Sequence, residues 1–481
     1  MRVPNVTCVS ERPNVVLVVC DTFRRDHLGA YGNRWIRTPA LDRFAAESVV
    51  FDHHLISSFP TMPARADFLT GRLAYTFMGW EPLPAGIETL PALLSSAGYL
   101  TMGVVDTPFL VRNGYGYDRG FDDFIWVRGQ GDDTRPHERS DARLTWRSES
   151  DRLVARTMTE AESWLERHYR EPFFLYVDTW DPHVPWDAPD YYAALYKDDY
   201  DGRQIYPLYG KWREHGLSDE DLETARATYR GEVTMVDRWV GRLLEKLDVL
   251  GLRDGTYVVF TSDHGFYFGE HGYFGKAEWF HAPDAAVAPA ADVPEWLPES
   301  WLLTIGWSPL YQELTRVPLL VRGPGLEAGR RSALTSAADI PATIIDLAGL
   351  EPPPAMSGRS FREVLTGARE EQHPFVVSSW PLYFAEGELT TAVDSRPRKI
   401  ASYMPLTVTT RTRSLILGGA AEEPELYDLE ADPAEATNVW SERRQEGTEL
   451  ARRAVDFLEE CGTPERHLEP RRAALRALTS F

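Results

Sequence analysis

Short runs of β-branched and aromatic residues alternate along the chain with longer amphipathic stretches. The runs NVVLVVCD (14–21), PFFLYVDTWDPH (172–183) and TYVVFTSDHG (256–265) each predict a buried strand, because their apolar residues follow one another with no polar face. Each run has an aspartate or a histidine at or next to its carboxyl end. The sequence therefore predicts strands whose carboxyl ends deliver polar side chains.

Apolar residues between these runs recur every three or four positions, as in residues 39–48, 153–169 and 228–247, which predicts helices. Strands that alternate with helices favour an α/β fold, with a largely parallel sheet covered by helices. In such open sheets, ligands bind beyond the carboxyl ends of the strands. The predicted strand ends are therefore where we expect the chemistry.

The pattern of the sequence changes after residue 365, where shorter polar segments and short predicted strands follow. We therefore predict a catalytic domain over 1–365 and a smaller C-terminal α+β subdomain over 366–481. Residues 282–310 are rich in alanine and proline and carry three tryptophans. This stretch is predicted to be an insertion loop or lid near the site, although a dimer contact is equally consistent with it.

Composition limits the class of partner. The chain of 481 residues is 43% hydrophobic and carries a formal net charge of −22, so it can bury a large core but offers little to a phosphate backbone or an anionic membrane. We therefore expect a small anionic ester as substrate, held by a local positive site, and neither nucleic acid nor membrane as partner. The amino-terminal residues show no long apolar run, so the expected location is the cytoplasm; homo-oligomerisation is left open.

Asp21 closes the first predicted strand, and Asp263 with His264 closes another. Two carboxylates and an imidazole from separate strand ends are a common way to build a divalent metal site. A single aspartate at a strand end is more often a turn residue or a helix cap. The combination, with His183, His271 and Lys276 on the nearby loops, favours a functional site.

Seven ordered stretches resemble the sulfatases and phosphonate monoester hydrolases of the alkaline phosphatase superfamily. They are NVVLVVCDTFRRDHLGAYG, TMPARADFLTGR, YDRGFDDF, DPHVPW, TSDHGFYFGEHGYFGK, RVPLLVRGPG and ELYDLEADPAEATNVW. The resemblance runs from about residue 13 to 440. It implies an alkaline-phosphatase-like α/β fold, with a mixed, mostly parallel central sheet flanked by helices.

The resemblance also implies the roles of particular residues. A metal would be ligated by Asp21, Thr61, Asp263 and His264. Thr61 would be the nucleophile, and Arg65, at the start of the predicted helix ARADFLTG, would lie beside it. The pocket for the anionic group would be lined by His183, which could protonate the leaving alcohol, and by Lys276.

Position 61 departs from the sulfatase pattern. Sulfatases carry cysteine or serine there, which is converted to formylglycine, whereas oxidation of the Thr61 side chain would give a ketone. A threonyl adduct has no second hydroxyl to expel sulfate, so water must open it. That chemistry suits phosphorus, where threonine and serine nucleophiles serve other members of the superfamily.

Two further departures agree with this interpretation. Sulfatases usually supply a lysine and a histidine downstream of the nucleophile, whereas this chain has Asp106 and Thr107, and phosphonate monoester hydrolases look similar in using threonine there. The resemblance therefore implies that Thr107 is one of the catalytic residues. The second acid of the usual aspartate pair is replaced by Thr22, and the usual Asp-Asn pair reads Asp263-His264. Because imidazole suits softer ions, we expect Mn²⁺ or Zn²⁺ rather than Ca²⁺.

One tight metal site is predicted. A second site is left open, through Asp178 or Asp181 with His183 and His271, although the spacing used in two-zinc relatives is absent. The predicted function is a metal-dependent hydrolase of phosphate esters (phosphodiester, phosphonate monoester or phosphomonoester) that forms a covalent phosphothreonine on Thr61. Two alternatives stay open: a sulfatase-like hydrolase of sulfate or sulfamate esters that lacks formylglycine, and a non-catalytic homologue that binds a metal or an anion.

Overall fold

The computed structural model of the chain describes most of the two regions on either side of residue 365. The described residues are 12–107, 110–111, 114–129, 146–205, 209–280, 304–306, 308–382, 389–390, 397–398, 405–418 and 423–479.

The strands, in chain order, are β1 Asn14–Cys20, β2 Val49–Leu55, β3 Leu100–Val105, β4 Asp123–Trp126, β5 Phe173–Thr179, β6 Gly210–Lys211, β7 Thr256–Ser262, β8 Tyr267–Phe268, β9 Tyr273–Gly275, β10 Glu278–Phe280, β11 Thr304–Gly306, β12 Leu319–Arg322, β13 Gly329–Ser336, β14 Val376–Ser379, β15 Leu389–Thr390, β16 Pro397–Arg398, β17 Leu406–Thr409, β18 Arg413–Leu417 and β19 Glu425–Asp428. The α-helices are α1 Pro39–Ala46, α2 Thr61–Thr70, α3 Leu90–Ser96, α4 Leu153–His168, α5 Asp190–Ala193, α6 Asp219–Val249, α7 Gln312–Thr315, α8 Asp339–Leu347, α9 Arg362–Leu365, α10 Arg444–Glu460 and α11 Glu465–Thr479.

The central sheet has the strand order β13-β2-β12-β7-β1-β5-β3-β4 in the described part of the chain. Strand β1 lies between β5 and β7 and runs parallel to both. Only β12 runs antiparallel to its neighbours, β2 and β7. The prediction of a mixed, mostly parallel sheet is therefore confirmed.

Strand β1 is buried on both faces, and alternate residues join different cores. Val16 and Val18 pack with α4 and α6 on one face, whereas Leu17 and Val19 pack with α2, α3 and α8 on the other. Successive side chains of a strand point to opposite faces, so a continuous apolar run is what a sheet covered on both sides requires. The predicted strands at 14–21, 172–183 and 256–265 correspond to β1, β5 and β7.

A second, antiparallel sheet lies in the C-terminal part of the chain, in the order β14-β17-β18-β19. Its apolar face packs against α10 and α11 through residues such as Val408, Leu415 and Leu458. The structure therefore has a separate C-terminal sheet with helices against it, as the change in sequence pattern after residue 365 predicted. The boundary at residue 365 stays a prediction.

Helix α6 and the 282–310 stretch differ in extent from the prediction. Helix α6 begins at Asp219, nine residues before the predicted start, because Ser218 and Asp221 form a capping box there. Residues 282–303 and 307, the bulk of the predicted lid, lie outside the described residues. The end of that stretch is not a loop, because β11 pairs with β10. In the described residues, every helix is too short or too polar to cross a bilayer.

Candidate active site and metal centre

Thr61 begins helix α2 and is fully buried. Its Oγ1 accepts a hydrogen bond from Lys276 Nζ at 3.0 Å and lies 3.4 Å from His264 Nε2. The helix begins three residues before Ala64, where the sequence analysis placed its start. Arg65 therefore follows Thr61 by one turn, and the two side chains share a helix face.

The Arg65 guanidinium is surrounded by carboxylates. Its Nε and Nη2 donate to the two oxygens of Asp178 at 3.0 and 2.9 Å, and its Nη1 donates to Asp21 Oδ2 at 2.9 Å. Nη1 also donates to Asp263 Oδ2. All four side chains are fully buried. Three buried carboxylates against one arginine leave an excess of negative charge, which further cations must offset.

Lys276 is one such cation. Its Nζ lies 3.8 Å from Asp21 Oδ1 and 3.2 Å from His264 Nε2, and burial lowers the pKa of its amine. With Lys276 charged, the centre holds three carboxylates and two cations, so one negative charge remains. A divalent metal would make the centre net positive, which is the sign that an anionic substrate requires.

The donor set fits such a metal. Ligand atoms of Asp21, Asp263 and His264 lie within 4.8 Å of one another, and the buried Asp21 Oδ1 has no hydrogen-bond partner. His264 Nδ1 lies 2.9 Å from the Gly265 carbonyl oxygen, so Nδ1 carries the proton and Nε2 presents its lone pair to the centre. Burial, with the nearby Lys276, lowers the pKa of His264 and favours this neutral form.

The backbone holds Asp263 in place. Its Oδ1 accepts hydrogen bonds from the Thr22 and His264 N–H groups at 2.9 and 2.8 Å. Thr22 has a φ of 58°, a left-handed conformation that is uncommon for a residue other than glycine. The residue that replaces the second acid of the sulfatase pair therefore contributes its backbone to the centre.

His183 lies at the edge of the centre and is 6% exposed. Its Nδ1 is 2.6 Å from the Val184 carbonyl oxygen, and its ring centroid is 4.1 Å from that of Trp180. Burial lowers the pKa of His183 well below its usual value. The neutral ring therefore carries its proton on Nδ1, and Nε2 is a hydrogen-bond acceptor; the donor role expected from the sequence requires the protonated ring and stays a prediction.

Thr107 contacts the centre through Asp178. Its Oγ1 donates to Asp178 Oδ1 at 2.6 Å, and the Tyr176 hydroxyl donates to the other oxygen of the same carboxylate. Asp178 is thus held by four donors, two of them from Arg65. Thr107 therefore contacts Asp178, the carboxylate that orients Arg65.

The second metal site left open by the sequence is not assembled in the described residues. The Asp178 carboxylate is occupied by Arg65, and Asp181 Oδ2 accepts from the Val154 N–H in the first turn of α4 at 3.1 Å. His271 lies against Glu313, with 3.3 Å between His271 Nε2 and Glu313 Oε2. Asp178, Asp181 and His271 therefore contact three different elements of the structure and do not form one ligand group.

Sequence reasoning missed the role of Asp178 as the partner of Arg65. The available signal was a carboxylate in the apolar strand FFLYVDT, where an ionised side chain requires a buried cation. Tyr176 gave no comparable signal, because a tyrosine in a buried strand usually needs only one partner for its hydroxyl.

These features define a hydrolase with an alkaline-phosphatase-like fold, whose polar centre lies at the carboxyl ends of parallel strands. A family model described as Sulfatase matches residues 13–350, and one described as N-sulphoglucosamine sulphohydrolase, C-terminal, matches residues 308–459. The chain belongs to the sulfatase family, as its motifs indicated.

The chain is 26% identical to an arylsulfatase of Clostridium perfringens, over 89% of this chain and 90% of that protein. It is 25% identical to a multifunctional alkaline phosphatase superfamily protein of Trinickia caryophylli, over 89% and 91%. Its fold is similar to the phosphonate monoester hydrolase of Silicibacter pomeroyi, with a TM-score of 0.71, 21% identity and coverage of 95% and 97%. Sulfatases thus predominate among the similar curated proteins, and phosphonate monoester hydrolases occur among the similar structures.

Proposed function

We propose that this protein is a metal-dependent hydrolase of phosphate or phosphonate esters that uses Thr61 as a covalent nucleophile. The observation that carries the proposal is the position of the Thr61 hydroxyl, which lies 3.0 Å from Lys276 Nζ and beside the Asp21, Asp263 and His264 ligand group. A metal held by these three residues would act as a Lewis acid toward a phosphoryl oxygen, and the donor set suits Mn²⁺ or Zn²⁺.

Lys276 is the side chain best placed to move the Thr61 proton. Because burial lowers the pKa of the Lys276 amine, its neutral form is more accessible than that of an exposed lysine. In the proposed step, Thr61 Oγ1 attacks phosphorus, its proton passes to Lys276 Nζ, and the ester oxygen leaves with the electron pair of its bond. Water then cleaves the bond between phosphorus and Thr61 Oγ1, which restores the hydroxyl.

Arg65 adds a fixed positive charge to this step. Its guanidinium is fully buried and is oriented by the bidentate contact with Asp178, so little reorganisation is needed as charge develops on the transferred group. Thr61 is the first residue of α2, so the partial positive charge of the helix N-terminus lies beside the proposed nucleophile.

A sulfate or sulfamate ester is the second candidate substrate, and the names of the relatives favour it. The similar proteins include an arylsulfatase and an N-acetylglucosamine-6-O-sulfatase, the latter from Bacteroides thetaiotaomicron at 24% identity. The phosphate proposal rests instead on the chemistry of threonine, which has no route to formylglycine. The two candidates share the nucleophile and the cations and differ in the atom attacked.

The deciding experiment is a comparison of kcat/KM on an aryl phosphodiester, an aryl phosphonate monoester and an aryl sulfate, with protein loaded with Mn²⁺ or Zn²⁺. We expect the phosphorus esters to be preferred and a chelator to abolish the activity. Acid quenching during turnover should trap the transferred group on the peptide that contains Thr61, and its accurate mass distinguishes a phosphoryl from a sulfuryl group.

Preference for the sulfate ester, with a sulfuryl adduct on Thr61, would show that the second candidate, a hydrolase of sulfate or sulfamate esters, is correct. Turnover without any adduct, and unchanged in the Thr61→Ala variant, would contradict both. Thr61→Ser is the matched control, since it keeps the hydroxyl and removes only a methyl group.

A further inference from the structure

A second cluster of one imidazole and two carboxylates lies outside the proposed active site. It consists of His271 in the turn between β8 and β9, Glu313 in α7, and Glu435 in the loop between β19 and α10. Their ligand atoms lie within 4.8 Å of one another. We call these three residues the His271 cluster.

One polar atom of each residue in the His271 cluster is buried and makes no well-formed hydrogen bond, although His271 Nε2 and Glu313 Oε2 face each other at 3.3 Å. The three atoms are His271 Nε2, Glu313 Oε2 and Glu435 Oε1. Glu435 is only 1% exposed, and its other oxygen, Oε2, accepts a hydrogen bond from the Gln312 N–H at 2.7 Å. Burial raises the pKa of Glu435 to about 7, although the Ser414 hydroxyl lies close enough to lower it. Since Oε1 has no well-formed hydrogen bond, a bound cation would satisfy it better than this neighbour does.

The surroundings fix the imidazole ring. The His271 ring stacks on Tyr311, with 3.6 Å between the ring centroids and 12° between the planes. The Tyr311 hydroxyl in turn donates to Glu425 Oε2 at 2.7 Å. In the described part of the chain, no lysine or arginine forms an ion pair with Glu313 or Glu435, and the nearest opposing charges are the imidazole and the buried Arg24, which acts on Glu313 from a longer distance.

We propose that His271, Glu313 and Glu435 bind a divalent metal ion of the Zn²⁺ class, at a site separate from the one beside Thr61. One imidazole nitrogen and two carboxylate oxygens are donors that zinc accepts, and a water molecule can complete a four-coordinate shell. A divalent ion would also neutralise the two carboxylates and provide a ligand bond to each of the three atoms.

Such an ion would connect segments that lie far apart in the sequence. Glu435 belongs to the C-terminal part of the chain, Glu313 precedes β12 of the central sheet, and His271 lies five residues before Lys276. Because the ligands come together only in the folded chain, metal binding here should stabilise the folded state. The inference does not depend on the proposed function, since none of these residues contacts Thr61.

The test uses full-length protein in which the metal centre beside Thr61 is disabled by Asp263→Asn and His264→Ala. Equilibrium dialysis against zinc chloride, followed by elemental analysis, should give about one zinc ion per chain for this background variant. Addition of Glu435→Gln should abolish that binding, because the amide keeps the acceptor for the Gln312 N–H but loses the charge. Glu430→Gln, at an exposed position in the same loop, is the matched control and should retain the zinc.

Zinc should also raise the Tm of the background variant and leave that of the Glu435→Gln derivative unchanged. If Glu435→Gln fails to fold by circular dichroism, His271→Gln in the same background provides the equivalent measurement. Absence of zinc from the folded background variant would overturn the proposal and leave a proton-sharing imidazole and carboxylate cluster. Full retention of zinc after both Glu435→Gln and His271→Gln would equally overturn it.

Discussion

The centre beside Thr61 and the His271 cluster contain the same kinds of donor, one imidazole and two carboxylates within 4.8 Å in each case. Their surroundings differ. The centre beside Thr61 has two buried cations, Arg65 and Lys276, and a hydroxyl that accepts from Lys276. The His271 cluster has an aromatic ring and, in the described residues, no arginine or lysine as partner.

This difference distinguishes a site that only binds a metal from a site that can also catalyse the cleavage of an anionic ester. Both ligand sets can bind a divalent cation, but transfer of an anionic group also requires a nucleophile and fixed positive charges where charge develops. The cations beside Thr61 supply those charges. The comparison therefore supports the proposed catalytic role of the first site and the proposed stabilising role of the second, and substitutions at either site can break it.

The largest expected effect comes from Thr61→Ala. Only a hydroxyl and a methyl group are lost, so the variant should keep its fold and its metal, while kcat should fall by roughly 10³–10⁶ because covalent catalysis is removed. Steady-state kinetics on the preferred ester, together with elemental analysis, provide the measurement. A variant with near-parental kcat would show that water is the attacking group.

Lys276→Met should have the next largest effect. The substitution keeps the length of the side chain and removes the amine that would accept the Thr61 proton, so kcat should fall by about 10²–10⁴, the usual contribution of a general base. Lys197→Met is the control, because Lys197 makes an ion pair with the exposed Asp199 and should leave kcat unchanged. A change confined to KM would place Lys276 in substrate binding alone.

The residues that the sequence patterns grouped at the first site lie together in the structure, because each has a local signal, and their roles stay predictions. Asp21 and Asp263 each follow a continuous apolar strand, and parallel strands must bring their carboxyl ends to one edge of the sheet. Thr61 and Arg65 are one helical turn apart in a single motif. The sequence immediately around each of these residues is therefore enough to predict where it lies in the fold.

The remaining features depend on contacts that no local pattern encodes. The pairing of Asp178 with Arg65 joins β5 to α2 across more than a hundred residues. It depends on the burial of both side chains at the same place in the fold, which the sequence around each residue does not indicate. Glu435 lies beside His271 because the C-terminal part packs against α7, and the residues near His271 in the sequence do not indicate this contact. The second site left open from the sequence therefore grouped His271 with Asp178, Asp181 and His183 rather than with the two glutamates. The antiparallel direction of β12 was likewise not encoded in its apolar residues.

Thr107→Val tests whether Thr107 is a catalytic residue or a positioning residue. The isosteric change removes the hydroxyl that donates to Asp178 Oδ1, and loss of a hydrogen bond to a charged group should lower the free energy of unfolding by about 1.5–3 kcal/mol. Since Arg65 keeps its own contacts with Asp178, we expect kcat to fall by less than tenfold. Urea denaturation and kinetics on the same preparation measure the two effects.

Thr157→Val is the matched control for Thr107→Val. Its buried hydroxyl donates to Asp106 Oδ2 at 2.8 Å, so it removes a hydrogen bond of the same type, to a carboxylate that makes no contact with Arg65. A similar loss of stability with unchanged kcat is expected. If Thr107→Val instead lowers kcat by 10² or more, Thr107 acts on the substrate as the family resemblance implies.

The smallest expected effect concerns Tyr311, which separates the ring contact in the His271 cluster from the hydrogen bond beside it. Tyr311→Phe keeps the ring that stacks on His271 and removes the hydroxyl that donates to Glu425, whereas Tyr311→Leu removes both. The stacked pair should contribute about 0.5–1.5 kcal/mol beyond the area it buries, so Tyr311→Leu should bind zinc roughly two- to tenfold more weakly than Tyr311→Phe in the Asp263→Asn, His264→Ala background. Competition with a chromophoric chelator measures this ratio. Equal zinc affinities for the two variants would show that the ring does not orient His271, and that the cluster geometry is set by the two glutamates alone.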